Sequence, residues 1–231
     1  MTSSHHLSSS IAIAGVAESD LGKVPDKTAL ELQAQASRRA LVDAGLTLRD
    51  VDGVFAHTDD RFSSLQLSEY LGLKPRYVDS SNVGGMSNIM HVRHAMAAIN
   101  AGFCEVALIT YGSTQLSDGS RNLTGLVEDP RSPRGQFIVP HGQLSPIGYY
   151  AMVAQLHMHR FGSTPADLAE IAVSARQWAN LNPKAYRHGA LSLDDVIASP
   201  VVDAPLRGRD CCLVTDGGGA LIVTSAARAR S

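Results

Sequence analysis

The stretch that decides the fold is YVDSSNVGGMSNIMHVRHAMAAINAG, Tyr77 to Gly102. Tyr77 and Val78 suit a strand, and the Ser-Asn-Val-Gly-Gly run after them is turn chemistry. From Met86, apolar residues recur at Ile89, Val92, Met96 and Ile99, a helical period that stops at Gly102. A strand, a glycine turn and a long helix in that order put a helix N-terminus at the carboxyl edge of a sheet. Its N–H groups and partial positive charge stabilise anions and developing oxyanions. The nucleophile elbow of hydrolases has the same layout, and so does a plain packing turn with Ser87 as helix cap. Both readings stay open on the local pattern.

Working outward, strand and helix patterns alternate. IAIAGV from Ile11 is a short apolar run. Thr28 and Glu31 form a capping-box signature ahead of Ala29, Leu32, Ala36 and Ala40 on one helical face, with Gly45 placed to end the helix. GVFAH (Gly53 to His57) is a second strand, SSLQLSEYLG a short helix ending at Gly72, RYVDS (Arg76 to Ser80) a third strand, and EVALITYG (Glu105 to Gly112) a strand apolar on both faces. This order predicts a layered α/β fold, with a mostly parallel central sheet and helices on both faces. Residues 1–10 read as a polar tail and 11–231 as one domain with a loop excursion over 113–200. Within it, Ser113 to Pro140 is rich in Gly, Ser, Pro and charge, which suits a long functional loop. A helix from about Tyr149 to Arg160 follows, then another starting at Thr164-Pro165 and ending before Asn182-Pro183. GGALIVTS (Gly218 to Ser225) returns the chain to the sheet.

With 44% apolar and 18% charged residues and a formal net charge of −2, the chain has no electrostatic footprint for nucleic acid or anionic membrane. No apolar run approaches the roughly 20 residues of a spanning helix. Three cysteines, Cys104 and the adjacent Cys211 and Cys212, form no disulfide framework, so a reducing cytoplasm is the expected location.

The segment from Asn82 to Gly102, the strand from Glu105 to Gly112 and the close RDCCLVTDGGGALIVTS (Arg209 to Ser225) resemble thiolase-like lipid-transfer proteins. These are the sterol-carrier-type thiolase homologues often named acetyl-CoA acetyltransferases. PIGYYAMVAQLHMHRFGSTPADLAEIAV (Pro146 to Val173) and NPKAY (Asn182 to Tyr186) are similar to the same group. The resemblance implies the N-terminal half of a thiolase-like fold. In catalytic members the equivalent helix opens with a nucleophilic cysteine, and counting back from Ile99 and Gly102 puts that position at Gly85. Glycine forms no thioester. Members lacking the cysteine are associated with retro-aldol cleavage of steroid side-chain CoA esters, together with a partner carrying an OB-fold and a zinc ribbon. That chemistry needs an acid–base pair and oxyanion stabilisation, and the acid and base would lie in a missing C-terminal half.

By the resemblance, His141, Ser145, Tyr149 and Met152 line the approach of a CoA ester, with Ile147 in place of an expected methionine; ordinary loop packing is the alternative. Asn82, Gly84 and Gly85 form the oxyanion turn. Tyr77, Val78, Ser81, Asn82 and Val83 lie near a homodimer interface. The expected ligand is an acyl-CoA, with no bound cofactor and no metal. A non-catalytic lipid-CoA binding or assembly module is one alternative, and an acyltransferase using Ser87 is another. His91 and His94 have zinc-compatible spacing but no converging ligands, so they read as solvated or packing residues. His157 and His159 face different ways. Cys104, Cys211 and Cys212 read as packing residues. Gly15 and the Gly217 to Gly219 run lack the context of a phosphate-binding fingerprint.

Overall fold

The computed structural model describes residues 10–58, 61–120, 129–142 and 145–230. It divides into two compact units, one formed by the chain up to Asp118 and from Thr215 onward, the other by Gly119–Val214. Apart from Ser10, the expected N-terminal tail lies outside the described residues.

The first unit is a five-stranded sheet of β1 (Ile11–Glu18), β2 (Gly53–Ala56), β3 (Tyr77–Asp79), β4 (Val106–Ser113) and β7 (Gly217–Ser225) in the order β1-β7-β4-β2-β3. β4, β2 and β3 pair in parallel, while β7 runs antiparallel to both β4 and β1. Four strands thus point one way and β7 opposes them. The expectation of a mostly parallel sheet holds for strand direction, but two of the four ladders are antiparallel. β1 to β4 follow one another through helical connections that return each strand in the same sense. β7 arrives after the whole second unit, so no helical crossover fixes its direction.

Helices cover both faces. α1 (Ala29–Asp43) starts at the expected capping box: Thr28 N–H donates to Glu31 Oε2 at 2.7 Å, and Glu31 N–H donates to Thr28 Oγ1 at 3.2 Å. Its buried Ala34, Ala36, Ala40 and Leu41 join α2 (Ser63–Leu71) over one sheet face, around Val54, Val106, Leu108 and Ile222. Each large apolar side chain enclosed here contributes roughly 1.5–3 kcal/mol. Glycine lets α1 come this close. A Cβ on Gly15 would stand 2.3 Å from Ala40 O, and one on Gly112 2.6 Å from Ala29 O. These glycines serve helix–sheet packing.

α3 (Ser87–Asn100) covers the other face with Phe55, Ala107, Ile109 and Val223. Its fully enclosed residues are Ser87, His91, Ala95 and Ala98. The apolar stripe expected at Ile89, Val92, Met96 and Ile99 is displaced from this centre: Val92 and Ile99 pack at its margin, and Ile89 is 61% exposed. Small residues seat the helix close to the sheet and leave the larger ones at the edge.

At the amino ends of the strands, Asp52 accepts from the backbone N–H groups of Glu105 and Val106, both at 2.8 Å, and its carbonyl accepts from Arg76 and Tyr77. One residue therefore sets the starts of β2, β3 and β4. Among the described residues, no helix is long and apolar enough to cross a membrane, and no group of three or more His, Cys, Asp or Glu side chains is arranged to hold a metal ion.

The second unit is more regular than the expected loop. It holds α4 (Pro133–Phe137), α5 (Pro146–Phe161), α6 (Pro165–Leu181), α7 (Leu193–Ile197) and a short hairpin of β5 (Val201–Asp203) and β6 (Leu206–Arg207). α6 begins where expected: Thr164 caps it with Asp167, and Pro165 occupies its first turn. α4 lies inside the stretch read as irregular, capped by Ser132, which accepts from Gly135 N–H at 2.9 Å.

Candidate functional site

The turn between β3 and α3 lies at the carboxyl edge of the parallel strands, where α/β sheets place their sites. Asn82 to Met86 are exposed, and Gly84 takes a left-handed φ of +73°. Side chains hold the turn in place of a strand ladder. Ser81 N–H donates to Asp79 Oδ1 at 2.7 Å, and Ser81 O accepts from His91 Nε2 at 3.0 Å. Gly84 N–H donates to Asn82 Oδ1 at 3.0 Å, and Asn82 Nδ2 reaches Thr58 O at 3.2 Å. Val83 N–H donates to Ser87 Oγ at 2.9 Å, while that hydroxyl donates to Gly84 O at 2.6 Å.

These bonds bear on Ser87 directly. Its hydroxyl is fully buried and engaged on both sides, so it serves as a pin for the turn and lacks the access an acyltransferase nucleophile needs. The helix-cap alternative fails as well, since Ser87 is the first helical residue and Met86 stands at the cap. Gly85 is exposed, its φ lies outside the left-handed region, and an added Cβ would meet nothing within 4 Å. The backbone would accept a cysteine there. What the glycine leaves is an open approach to the helix N-terminus.

Beneath the turn lies a polar cluster that the sequence reading did not assemble. His57 directly follows β2 and is 5% exposed; its ring stacks on Tyr111 of β4 at 4.9 Å and meets His91 edge-on at 5.7 Å. Asp79 Oδ2 lies 2.5 Å from His94 Nδ1, and its Oδ1 is 4.0 Å from His91 Nε2. Burial alone would raise the Asp79 carboxyl, but the bonds from Ser81 and His94 outweigh it and hold the group below its usual range. Burial pushes the His91 imidazole down, toward the neutral form. The available signal was position: His57 ends one candidate parallel strand and Tyr111 lies near the end of another.

Among the interface candidates, Val78 and Val83 are 54% and 57% exposed on the edge strand and turn, while Tyr77 packs inward against Phe55 and Phe103. In the second unit, Ser145, Tyr149 and Met152 recur at helical spacing along the start of α5, with Tyr149 and Met152 exposed, and His141 is exposed on the single turn Val139–His141 before it. His157 on the same helix bonds Ser163 Oγ. Cys104 is buried, its thiol pushed up to about 11 by enclosure and by the Asp52 charge. Cys211 is half-buried against Arg207 O, whereas Cys212 is exposed, which departs from the packing role expected of it.

No protein-family profile matches the chain. It is 35% identical to the 17-hydroxy-3-oxo-4-pregnene-20-carboxyl-CoA lyase of Mycobacterium tuberculosis, over 97% of this chain and 60% of that protein. It is 31% identical to the steroid side-chain-cleaving aldolase of Thermomonospora curvata, over 95% of this chain and 58% of that protein. Among solved structures, the Ltp2-ChsH2(DUF35) aldolase superposes with a TM-score of 0.84 at 30% identity, covering 96% of this chain and 57% of that one. A monomeric SCP2-thiolase-like protein type 1 from Mycobacterium smegmatis superposes at 0.72 with 20% identity, over 96% of this chain and 47% of that one, a likeness of fold alone. The chain thus spans about 60% or less of the length of these proteins. The relatives and structural neighbours are thiolase-like, and the chain corresponds to their N-terminal half.

Proposed function

We propose that this chain, thiolase-like in fold, binds an acyl-CoA and forms part of a retro-aldol C–C lyase acting on a steroid side-chain CoA ester. The observation that carries the reading is the open turn at Gly85: a helix N-terminus presented at the carboxyl edge of the sheet, with glycine where the resemblance expects a cysteine. The 35% and 31% identical relatives named as a CoA-ester lyase and a side-chain-cleaving aldolase support the same class.

In such a reaction a base takes the proton of the hydroxyl on the carbon β to the thioester. The α–β carbon bond breaks, its electron pair passes into the thioester as an enolate, and the β-carbon leaves as a ketone. The enolate is then protonated at the α-carbon to give a shortened acyl-CoA. The chain's contribution is oxyanion stabilisation at the Asn82–Gly85 turn and the first turn of α3. His141, Ser145, Tyr149 and Met152 would contact the pantetheine arm. The acid and base are assigned to the remainder of the lyase, and a partner of the OB-fold and zinc-ribbon kind completes the assembly. The structural neighbour named the Ltp2-ChsH2(DUF35) aldolase supports such a partner. A homodimer through β3 belongs to the same proposal.

The test is product analysis with 17-hydroxy-3-oxo-4-pregnene-20-carboxyl-CoA, the compound named for the relative, using this chain together with the remainder of the lyase, with and without the partner. The expected products are the 17-ketone and the shortened acyl-CoA in equal amounts, formed without added free CoA. Cleavage that requires free CoA would mean thiolysis and contradict the reading. Tight binding of the ester with no cleavage under any condition would favour a non-catalytic lipid-CoA module.

A further inference from the structure

We propose that His91 is the positioning residue of the Ser81–Gly85 turn, an assignment that rests on reading this turn as the place where the developing oxyanion is held. The turn is exposed and lies outside the sheet ladder; one backbone bond, from Ser87 N–H to Gly84 O at 3.0 Å, closes its far end, and side chains hold the rest. Ser87 acts within it, Asn82 both braces it and reaches Thr58 O after β2, and Asp79 and His91 tie its first residue to β3 and α3. Both of these hold Ser81: Asp79 takes its N–H and His91 donates to its carbonyl. The residue that starts the turn is therefore clamped from two elements at once.

The other ring nitrogen shows that His91 does more than fill volume. Donation from Nε2 makes the neutral ring a bare acceptor at Nδ1. That atom is enclosed with no hydrogen-bond partner among the described residues. A buried unpaired acceptor destabilises the fold, and a leucine or methionine would fill the site beside Phe55 without that penalty. What an imidazole adds is an Nε2 donor on a short rigid arm, aimed at Ser81 O. Burial keeps the ring neutral, and His57, Asp79 and His94 are the titratable groups around it. A turn displaced by even about 1 Å loses roughly 100-fold in rate where positioning matters.

The experiment compares His91→Gln, His91→Asn and His91→Leu, with exchange read on this chain and kcat on the chain together with the remainder of the lyase. A glutamine amide nitrogen reaches the Nε2 position, whereas an asparagine amide reaches only Nδ1, so rescue is specific to one atom. Amide hydrogen exchange at Ser81, Val83 and Gly84 reports the turn, and exchange at Ala95 and Ala98 reports the body of α3. In Asn and Leu variants, turn protection is expected to fall roughly 10-fold or more with Ala95 and Ala98 unchanged. Lyase kcat should fall about 100-fold at nearly constant KM. The Gln variant should keep both properties near wild type. Equal behaviour of Gln and Asn, a Leu variant with intact turn protection, or loss of protection along all of α3 would each overturn the assignment. A wild type with no lyase activity but this exchange pattern would refute the lyase reading and leave the positioning role standing.

Discussion

Replacing Asp216 by alanine is expected to lower the stability of the first unit by roughly 3 kcal/mol or more. The residue is 1% exposed and stands at the start of β7. Its carboxylate accepts from Val24 N–H at 2.7 Å, Leu116 N–H at 2.9 Å and Ser117 N–H at 3.0 Å, and from the Ser117 hydroxyl in a very short bond. Its own backbone exchanges a pair of bonds with Gly22. One side chain thus joins the segment after β1, the segment after β4 and the entry to β7. Alanine leaves several donors unsatisfied, and asparagine supplies one acceptor oxygen where two are used. For a chain of this size the alanine change corresponds to a fall of about 6–12 °C in melting temperature.

The carboxyl is also a pH-linked contribution. Burial alone would raise it, but the bonds from Ser117, Val24 and Leu116 outweigh burial and hold it below its usual value. A depressed folded-state value means that the stabilisation is fully present above the ordinary carboxylate range near ~4 and is lost as pH falls through the lower folded value. The stability gap between wild type and Asp216→Asn should therefore be widest near neutrality and narrow in acid. Denaturant titrations at neutral and acid pH measure it; a variant as stable as wild type at neutral pH would show that the three segments are held by something else.

The second large effect is expected at Val78. β3 is an edge strand, and the exposed Val78, Val83, Met86, Ile89 and Phe103 lie on it, on the turn and along the α3 side of the unit. An open edge strand invites pairing with another chain, and so much exposed apolar surface favours association. Antiparallel pairing of β3 with its copy would continue the sheet across a two-fold axis, with Val78 at the centre. Val78→Asp would set like charges against each other there, weakening the dimer by about 100-fold or more. The folded monomer should persist, since Val78 is 54% exposed within one chain. Light scattering over a dilution series decides: a wild-type monomer at micromolar concentration, or an unaffected Val78→Asp dimer, would rule this interface out.

Sequence pattern exposed the elements whose signals are local. The Thr28–Glu31 capping box, the stop at Gly72 and the Thr164–Pro165 helix start each specify a backbone conformation within a few residues, and each is present. Signals that depend on the tertiary partner were not legible. The direction of β7 depends on where the second unit returns the chain. The face α3 buries is set by how closely Ala95 and Ala98 bring it to the sheet, so the larger apolar side chains mislead. In the second unit the two long helices were legible, whereas the short helices capped at Ser132 and Ser192 lie in a composition that reads as loop. At the site, the strand, glycine turn and helix were visible in the sequence. The clamp was not, because His57, Asp79, His91 and Tyr111 are separated along the chain and converge only through the register of β2, β3 and β4. Ser87 stood as the nucleophile of one alternative because residue type alone does not reveal that its hydroxyl is buried and bonded on both sides.

The central claim is that this site handles acyl-CoA without a covalent acyl-enzyme, and intact-protein mass spectrometry tests it most directly. Wild type and Gly85→Cys are each incubated with acetyl-CoA and acetoacetyl-CoA. The open space at Gly85 allows the cysteine to be built without strain, so the comparison places a nucleophile in the site while the turn stays as it is. The wild type is expected to keep its unmodified mass throughout, and Gly85→Cys is expected to gain no thiolysis activity, even if its new thiol is acylated. A stable acyl adduct on the wild-type chain, mapped to any residue from Ser81 to Ser87, would contradict the account.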